Sequence, residues 1–132
     1  MSKWGWALVL AIQAHFAASY VAPTQPHLGP HLGLFNYVWP WAVGDRGMLG
    51  VHPNLPGIAL AGSAGMASLL AALAVAGIWV PQAWWPGLAM VGAALELVLM
   101  IGYFGPTKLL PIALDIAVLA AILTKRFPVK AS

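Results

Sequence analysis

A chain of 132 residues that is 61% hydrophobic and only 7% charged, with a mean hydropathy of +0.85, excludes an ordinary soluble domain, in which roughly a quarter of residues carry charge. Its net charge of +3 comes from six Lys and Arg with no basic run, which excludes the electrostatic footprint of a nucleic-acid binder. The lack of cysteine excludes disulfides, thiolate zinc sites and iron–sulfur ligation.

The expected fold is all-α: one domain over residues 1–132, an integral membrane four-helix transmembrane bundle with a long aromatic and His-rich outer loop between helices one and two. The first helix is predicted over residues 3–21. Lys3 followed by an apolar run has the polarity of a signal peptide. The run is longer than a usual apolar signal core, carries Gln13, His15 and Tyr20, and shows no clear Ala-x-Ala-like cleavage site, so it reads as a retained span.

The connection over residues 22–56 is rich in Pro, Gly, His and Trp, and a loop of that length is expected to be functional or partly structured. Phe35, Tyr37, Trp39 and Trp41 suit the headgroup zone and predict a short interfacial helix over 31–43, limited by Pro40. His27, His31 and His52 with Asp45 form a candidate metal set, because three imidazoles and a carboxylate can complete a zinc shell. Asp45-Arg46 before Gly47 reads as a turn with a surface ion pair.

The second helix is predicted over 57–80, with Gly57, Ala61 and Gly65 as a row of small residues suited to close helix approach. Pro81 to Pro86 closes it and opens the third, over 84–104; Gly105-Pro106 separates that from the fourth, over 107–125. Connections this short make helices two, three and four antiparallel neighbours. Trp4, Trp6, Trp84 and Trp85 read as an interfacial belt. Lys3, Lys125, Arg126 and Lys130 against Arg46 and Lys108 place both termini in the cytoplasm by the positive-inside bias, in a bacterial-type inner membrane.

Asp45, Glu96 and Asp115 are the three acids of the chain, and an acid at membrane depth marks a functional site by default. Glu96 and Asp115 fall at similar depth, roughly 12 Å from the outer face at ~1.5 Å per helical residue. His15 and Ser63 come out near the same level, so one polar residue per helix is expected in a single buried layer: Glu96, His15, Asp115 and Ser63, a candidate ligand or proton site. Ala89, Gly92 and Ala93 share a face with Glu96, and Ala11, Ala18 and Ser19 one with His15. Small residues mark faces of close approach, so both side chains are expected to point inward.

Two readings of Asp115 stay open. Pro111 starts the regular helix near Leu110, leaving Asp115 as an acid favoured by the helix dipole; alternatively it belongs to the layer. His15 has three readings: proton shuttling with Glu96, ligation of a haem or chlorophyll-type metal, or plain helix packing. The cofactor is therefore left open. No nucleophile–base pair, phosphate loop or acyl-transfer triad is present in the sequence, so no enzyme is expected.

The stretch Gly92-Ala93-Ala94-Leu95-Glu96-Leu97-Val98-Leu99-Met100 through Pro111-Ile112-Ala113-Leu114-Asp115-Ile116-Ala117 resembles the DoxX-like group of small four-helix bacterial membrane proteins. The resemblance covers about a quarter of the chain. It implies four helices and a link to redox or respiratory enzymes, and it transfers no catalytic residue. The leading expectation is a non-enzymatic accessory or scaffold subunit of a larger membrane assembly, or a bundle that binds an apolar ligand. Its partners are then the lipid bilayer and other membrane subunits or further copies of itself. The competing expectation is a proton-coupled transporter or channel protomer that uses Glu96 with His15 and Asp115.

Overall fold

The computed structural model describes residues 1–21 and 45–124. The expected helix over 31–43, His27, His31 and the basic tail lie outside the described residues. Helix α1 spans Lys3–Ala18, capped by Ser2, whose hydroxyl accepts the Gly5 N–H at 3.1 Å. It is shorter than the span of 3–21 read from the sequence, because residues 19–21 turn out of the helix. There the Ser19 hydroxyl donates to the Phe16 carbonyl at 2.6 Å.

The described part of the connection is not irregular. Strands β1 (Arg46–Gly47) and β2 (Gly50–Val51) pair antiparallel, with Arg46 opposite Val51 and Gly47 opposite Gly50. The all-α expectation is corrected at this hairpin. Asn54 follows it and does two jobs: its Nδ2 donates to the Leu49 carbonyl at 2.6 Å, and its Oδ1 accepts the Gly57 N–H at 3.0 Å. That cap starts α2 (Leu55–Ala76) two residues before the expected boundary, with a proline in the first turn where no N–H is needed.

Helix α2 ends at Ala76 because Gly77 takes a left-handed φ of 78°. The N–H groups of Gly77 and Ile78 then satisfy the carbonyls of Ala74 (3.0 Å) and Leu73 (2.8 Å). A 3-10 turn (Gln82–Trp84) leads into α3 (Trp85–Gly102), and another (Pro106–Lys108) leads into α4 (Leu109–Leu123). Pro111 falls in the first turn of α4, where its missing N–H has no partner to lose, and the helix runs through it.

Among the described residues the protein is thus mostly helical, with four α-helices. Three segments among these residues are long and apolar enough to cross a membrane: Leu55–Ala76, Gln82–Gly102 and Pro106–Leu123. Helix α1, at 16 residues, extends about 24 Å, short of the ~30 Å hydrocarbon core of a bilayer.

Helix α1 packs on α2, α2 on α3 and α3 on α4, while α1 and α4 barely meet. An apolar groove of about 400 Å³ lies between them, lined by Trp6, Val9, Leu114, Ala117, Val118 and Ala121 among others. Two apolar clusters fill the interior. At the end that holds the N-terminus, Trp6, Leu10, Ala71, Val75, Trp85, Ala89, Ala93, Val118 and Ile122 pack together. Toward the hairpin, Phe16, Tyr20, Ala61, Leu99, Met100 and Tyr103 form the second. The expected tryptophan belt is split: Trp4 and Trp84 face outward, whereas Trp6 and Trp85 are buried with ring centroids 5.6 Å apart.

Candidate functional site

Each helix carries one polar residue between the two clusters. On α1, Gln13 stands three residues from Leu10 and three from Phe16; on α3, Glu96 stands three from Ala93 and three from Leu99. On α4, Asp115 lies between Ile112 and Val118; on α2, Ser68 lies between Ala61 and Ala71. The helical period carries these neighbours to the same face, so the four polar side chains share one level. All four are fully buried at 0% exposure.

The layer differs from the expected one in two members. His15 and Ser63 are exposed on the outside of α1 and α2. They sit at the right depth but on the wrong face: two positions along α1 is a rotation of about 200°, so Gln13 points inward where His15 points out. Glu96 and Asp115 lie inside. Asp115 is the seventh residue of α4, past the first turn, so its reading as a helix-start acid is corrected.

Within the layer, the Gln13 Nε2 donates to Asp115 Oδ1 at 2.6 Å, which ties α1 to α4 across the groove side. Ser68 lies against Gly92, since a Cβ on that glycine would come within 3.0 Å of the Ser68 nitrogen and closer still to its hydroxyl. Gly92 is one turn before Glu96 on the same face, so the absent side chain is what lets α2 and α3 close beside the acid. Asp115 is the titratable neighbour of Glu96 in the layer. Five buried oxygens in the layer have no hydrogen-bond partner: Gln13 Oε1, Ser68 Oγ, Glu96 Oε1 and Oε2, and Asp115 Oδ2. A buried polar atom without a partner costs about 1–3 kcal/mol, so this concentration is not explained by packing.

A second polar group sits at the hairpin end. Lys108 is 2% exposed and its Nζ bonds Asp45 Oδ2 at 2.6 Å and Thr107 Oγ1 at 3.2 Å. The ammonium also lies 5.5 Å from the centre of the Tyr20 ring. The expected surface pair of Asp45 with Arg46 is therefore corrected: Arg46 is exposed, and the carboxylate reaches across to α4's leading turn. His52 packs edge-on between Tyr20 (5.3 Å) and Tyr103 (5.4 Å), and the Tyr103 hydroxyl donates to Asn54. Burial holds the His52 imidazole below its usual pKa, against the opposing pull of a backbone hydrogen bond with Tyr20 and of Asp45, while Lys108 adds to the lowering.

Of the expected metal set, His52 and Asp45 meet here, with the His52 N–H bonded to the Asp45 carbonyl at 2.9 Å. The Asp45 carboxylate is taken up by Lys108. His27 and His31 lie outside the described residues, among which no group of three His, Cys, Asp or Glu is placed to hold a metal.

No family model, curated protein or solved structure matches this chain. Its function therefore has to be read from the two polar groups themselves.

Gln13, Ser68, Tyr20, Tyr103 and Lys108 were not singled out from the sequence as site residues. For Gln13 a signal was present: Trp6, Leu10, Phe16 and Tyr20 form a large-residue face around it, and that face is the buried one. The rule that small residues mark a contact holds where Gly65 of α2 lies against Ala14, Ala17 and Ala18 of α1. It fails for the face of His15, since Ala11 and His15 are exposed while Trp6, Leu10, Phe16 and Tyr20 are buried.

Proposed function

We propose that this is a multi-pass membrane protein of the carrier or channel class, a protomer that couples solute movement to an ion exchanged at Glu96 and Asp115, in the simplest case a proton. The observation that carries the reading is the Glu96 carboxyl, fully buried with neither oxygen hydrogen-bonded. An acid retained only to fix helix register gains its stability from a partner, as Asp115 does from Gln13. An acid inside a bundle with free oxygens is placed to bind something.

Three apolar spanning segments favour a bilayer setting, with Trp4 and Trp84 facing outward where interfacial anchors are wanted. The bias of Lys3, Lys125, Arg126 and Lys130 favours cytoplasmic termini. Four short helices do not enclose a wide aqueous path, so the working form is an oligomer. The test is transport by the reconstituted protein under an imposed pH gradient. Glu96→Gln, which keeps shape and helicity, abolishes gradient-driven uptake; unchanged uptake in that variant overturns the reading.

One observation favours a second reading, the accessory subunit or apolar-ligand bundle. The groove between α1 and α4 is apolar and lies on the side where the bundle is least closed. The DoxX-like resemblance, with its link to respiratory enzymes, belongs with this reading. Purification in a gentle detergent, followed by mass and absorption spectra, decides it: a stoichiometric partner or a visible chromophore displaces the lone-carrier account.

A further inference from the structure

The partnerless oxygens of the layer come from four side chains, one on each helix, and all are of one chemical kind. Two carboxyls, one amide carbonyl and one hydroxyl present oxygen alone, with no nitrogen or sulfur ligand among them. Oxygen sets of this type suit hard cations. We propose that the layer binds a dehydrated monovalent cation of sodium's size, held by Glu96, Asp115, Gln13 and Ser68 together. The proposal rests on the reading of the layer as an ion site and names the ion.

The orientation of the amide is fixed by its own hydrogen bond. Because the Gln13 Nε2 is committed to Asp115 Oδ1 at 2.6 Å, its Oε1 is left free, as is Asp115 Oδ2. Ser68 is held against Gly92 one turn from Glu96, which brings its hydroxyl to the seam that the acid occupies. Apolar clusters pack on both sides of the layer, and its four side chains are fully buried.

Charge balance selects the valence. Moving a net charge into a medium of this kind is costly, on the order of several kcal/mol per ion after relaxation. Two carboxyls reach neutrality with two protons, with one proton and one monovalent cation, or with one divalent cation. Calcium takes roughly 6–8 oxygens and magnesium keeps several of its waters, whereas the layer offers five free oxygens and no exposed surface. One monovalent cation therefore exchanges for one proton, and the exchange as a whole leaves the total charge of the layer unchanged. The titratable groups facing Glu96 among the described residues are Asp115 on α4 and Tyr20 at the end of α1; α2 presents Ser68, and Lys108 is engaged by Asp45 at the hairpin end.

The test uses the full chain in detergent, with unfolding followed by the fluorescence of its seven tryptophans in sodium, potassium, calcium and choline chloride at equal ionic strength. Saturating sodium raises the midpoint by about 5 °C over choline, potassium by less, and calcium by no more than choline does. Radioactive sodium co-purifies on a rapid desalting column. Both effects vanish in Ser68→Ala and in Glu96→Gln, each checked for native helicity by circular dichroism. Equal midpoints in sodium and choline, a sodium shift that persists in both variants, or stronger stabilisation by calcium overturns the proposal. If transport is lost in Glu96→Gln while wild type shows no sodium shift, the cation is wrong and the ion-exchange layer stands. If transport is unaffected by Glu96→Gln, the underlying reading fails.

Discussion

The molecule buries charge in two places and treats it in opposite ways. At the hairpin end Lys108 and Asp45 neutralise each other at 2.6 Å, with an aromatic face beneath the ammonium. In the middle of the bundle Glu96 and Asp115 are two acids with no Lys or Arg in their layer among the described residues, and there the Gln13 amide answers one oxygen of one of them. Lys108 is shielded from water as fully as the two acids are, so desolvation alone does not separate the regions. What separates them is completion. The first pair is finished by the protein and holds a loop to a helix; the second keeps carboxyl oxygens that no described residue answers.

The largest test of this contrast is functional. Glu96→Gln removes gradient-driven transport in vesicles while leaving the thermal midpoint within a few degrees of wild type, whereas Asp45→Ala does the reverse. The latter strands an ammonium that is 2% exposed; because Asp45 itself is 33% exposed, the cost falls at the low end for a broken buried pair, about 3 kcal/mol. Thermal unfolding in detergent reads it, and adding Lys108→Met to Asp45→Ala recovers part of the loss. A transport defect in Asp45→Ala at a temperature where the variant is folded would erase the distinction between the two regions.

Gln13→Leu comes next. It keeps the bulk of the side chain but leaves Asp115 without its donor, for a loss of about 2 kcal/mol seen as a lower midpoint. His52 gives a smaller, pH-dependent effect. Its folded-state pKa is below the ordinary 6.5, so as pH falls through that value the unfolded chain takes up a proton that the folded chain does not. Stability is therefore complete above about 6.5 and declines below it, no faster than about 1.4 kcal/mol per pH unit, the limit for one proton. His52→Gln flattens that decline, and midpoints measured between pH 5 and 8 show it. Smallest of all, His15→Ala and Ser63→Ala, both on the outer surface, change stability by less than about 0.5 kcal/mol and leave transport intact.

These last two variants mark where the sequence was legible and where it was not. Composition and proline–glycine punctuation are local properties, and they were enough for the four helices and for the short links after α2 and α3. Depth was legible too, because rise per residue is a constant, and it put Glu96 and Asp115 at one level. The facing of α1 was not, because it depends on what the neighbouring helices offer and not on α1 alone. Ser68 was hidden for the same reason, since its meaning comes from Gly92 on another helix. The hairpin was hidden by its brevity, as two-residue strands carry no alternation to detect. Lys108 was counted as an outer surface charge, and its burial follows from a partner 63 positions away.

The open seam between α1 and α4 has a mechanical meaning. Four staves joined at three seams make a compliant shell, and strain in such a shell gathers at the missing joint. Here that joint is bridged by the side-chain hydrogen bond from Gln13 to Asp115, and one end of it belongs to the candidate ion site. Loading the site therefore acts on a rivet across the gap. Because the chain has no cysteine, a pair introduced at Val9 and Leu114, on opposite walls of the groove, turns that width into a spin-label distance with no background to subtract.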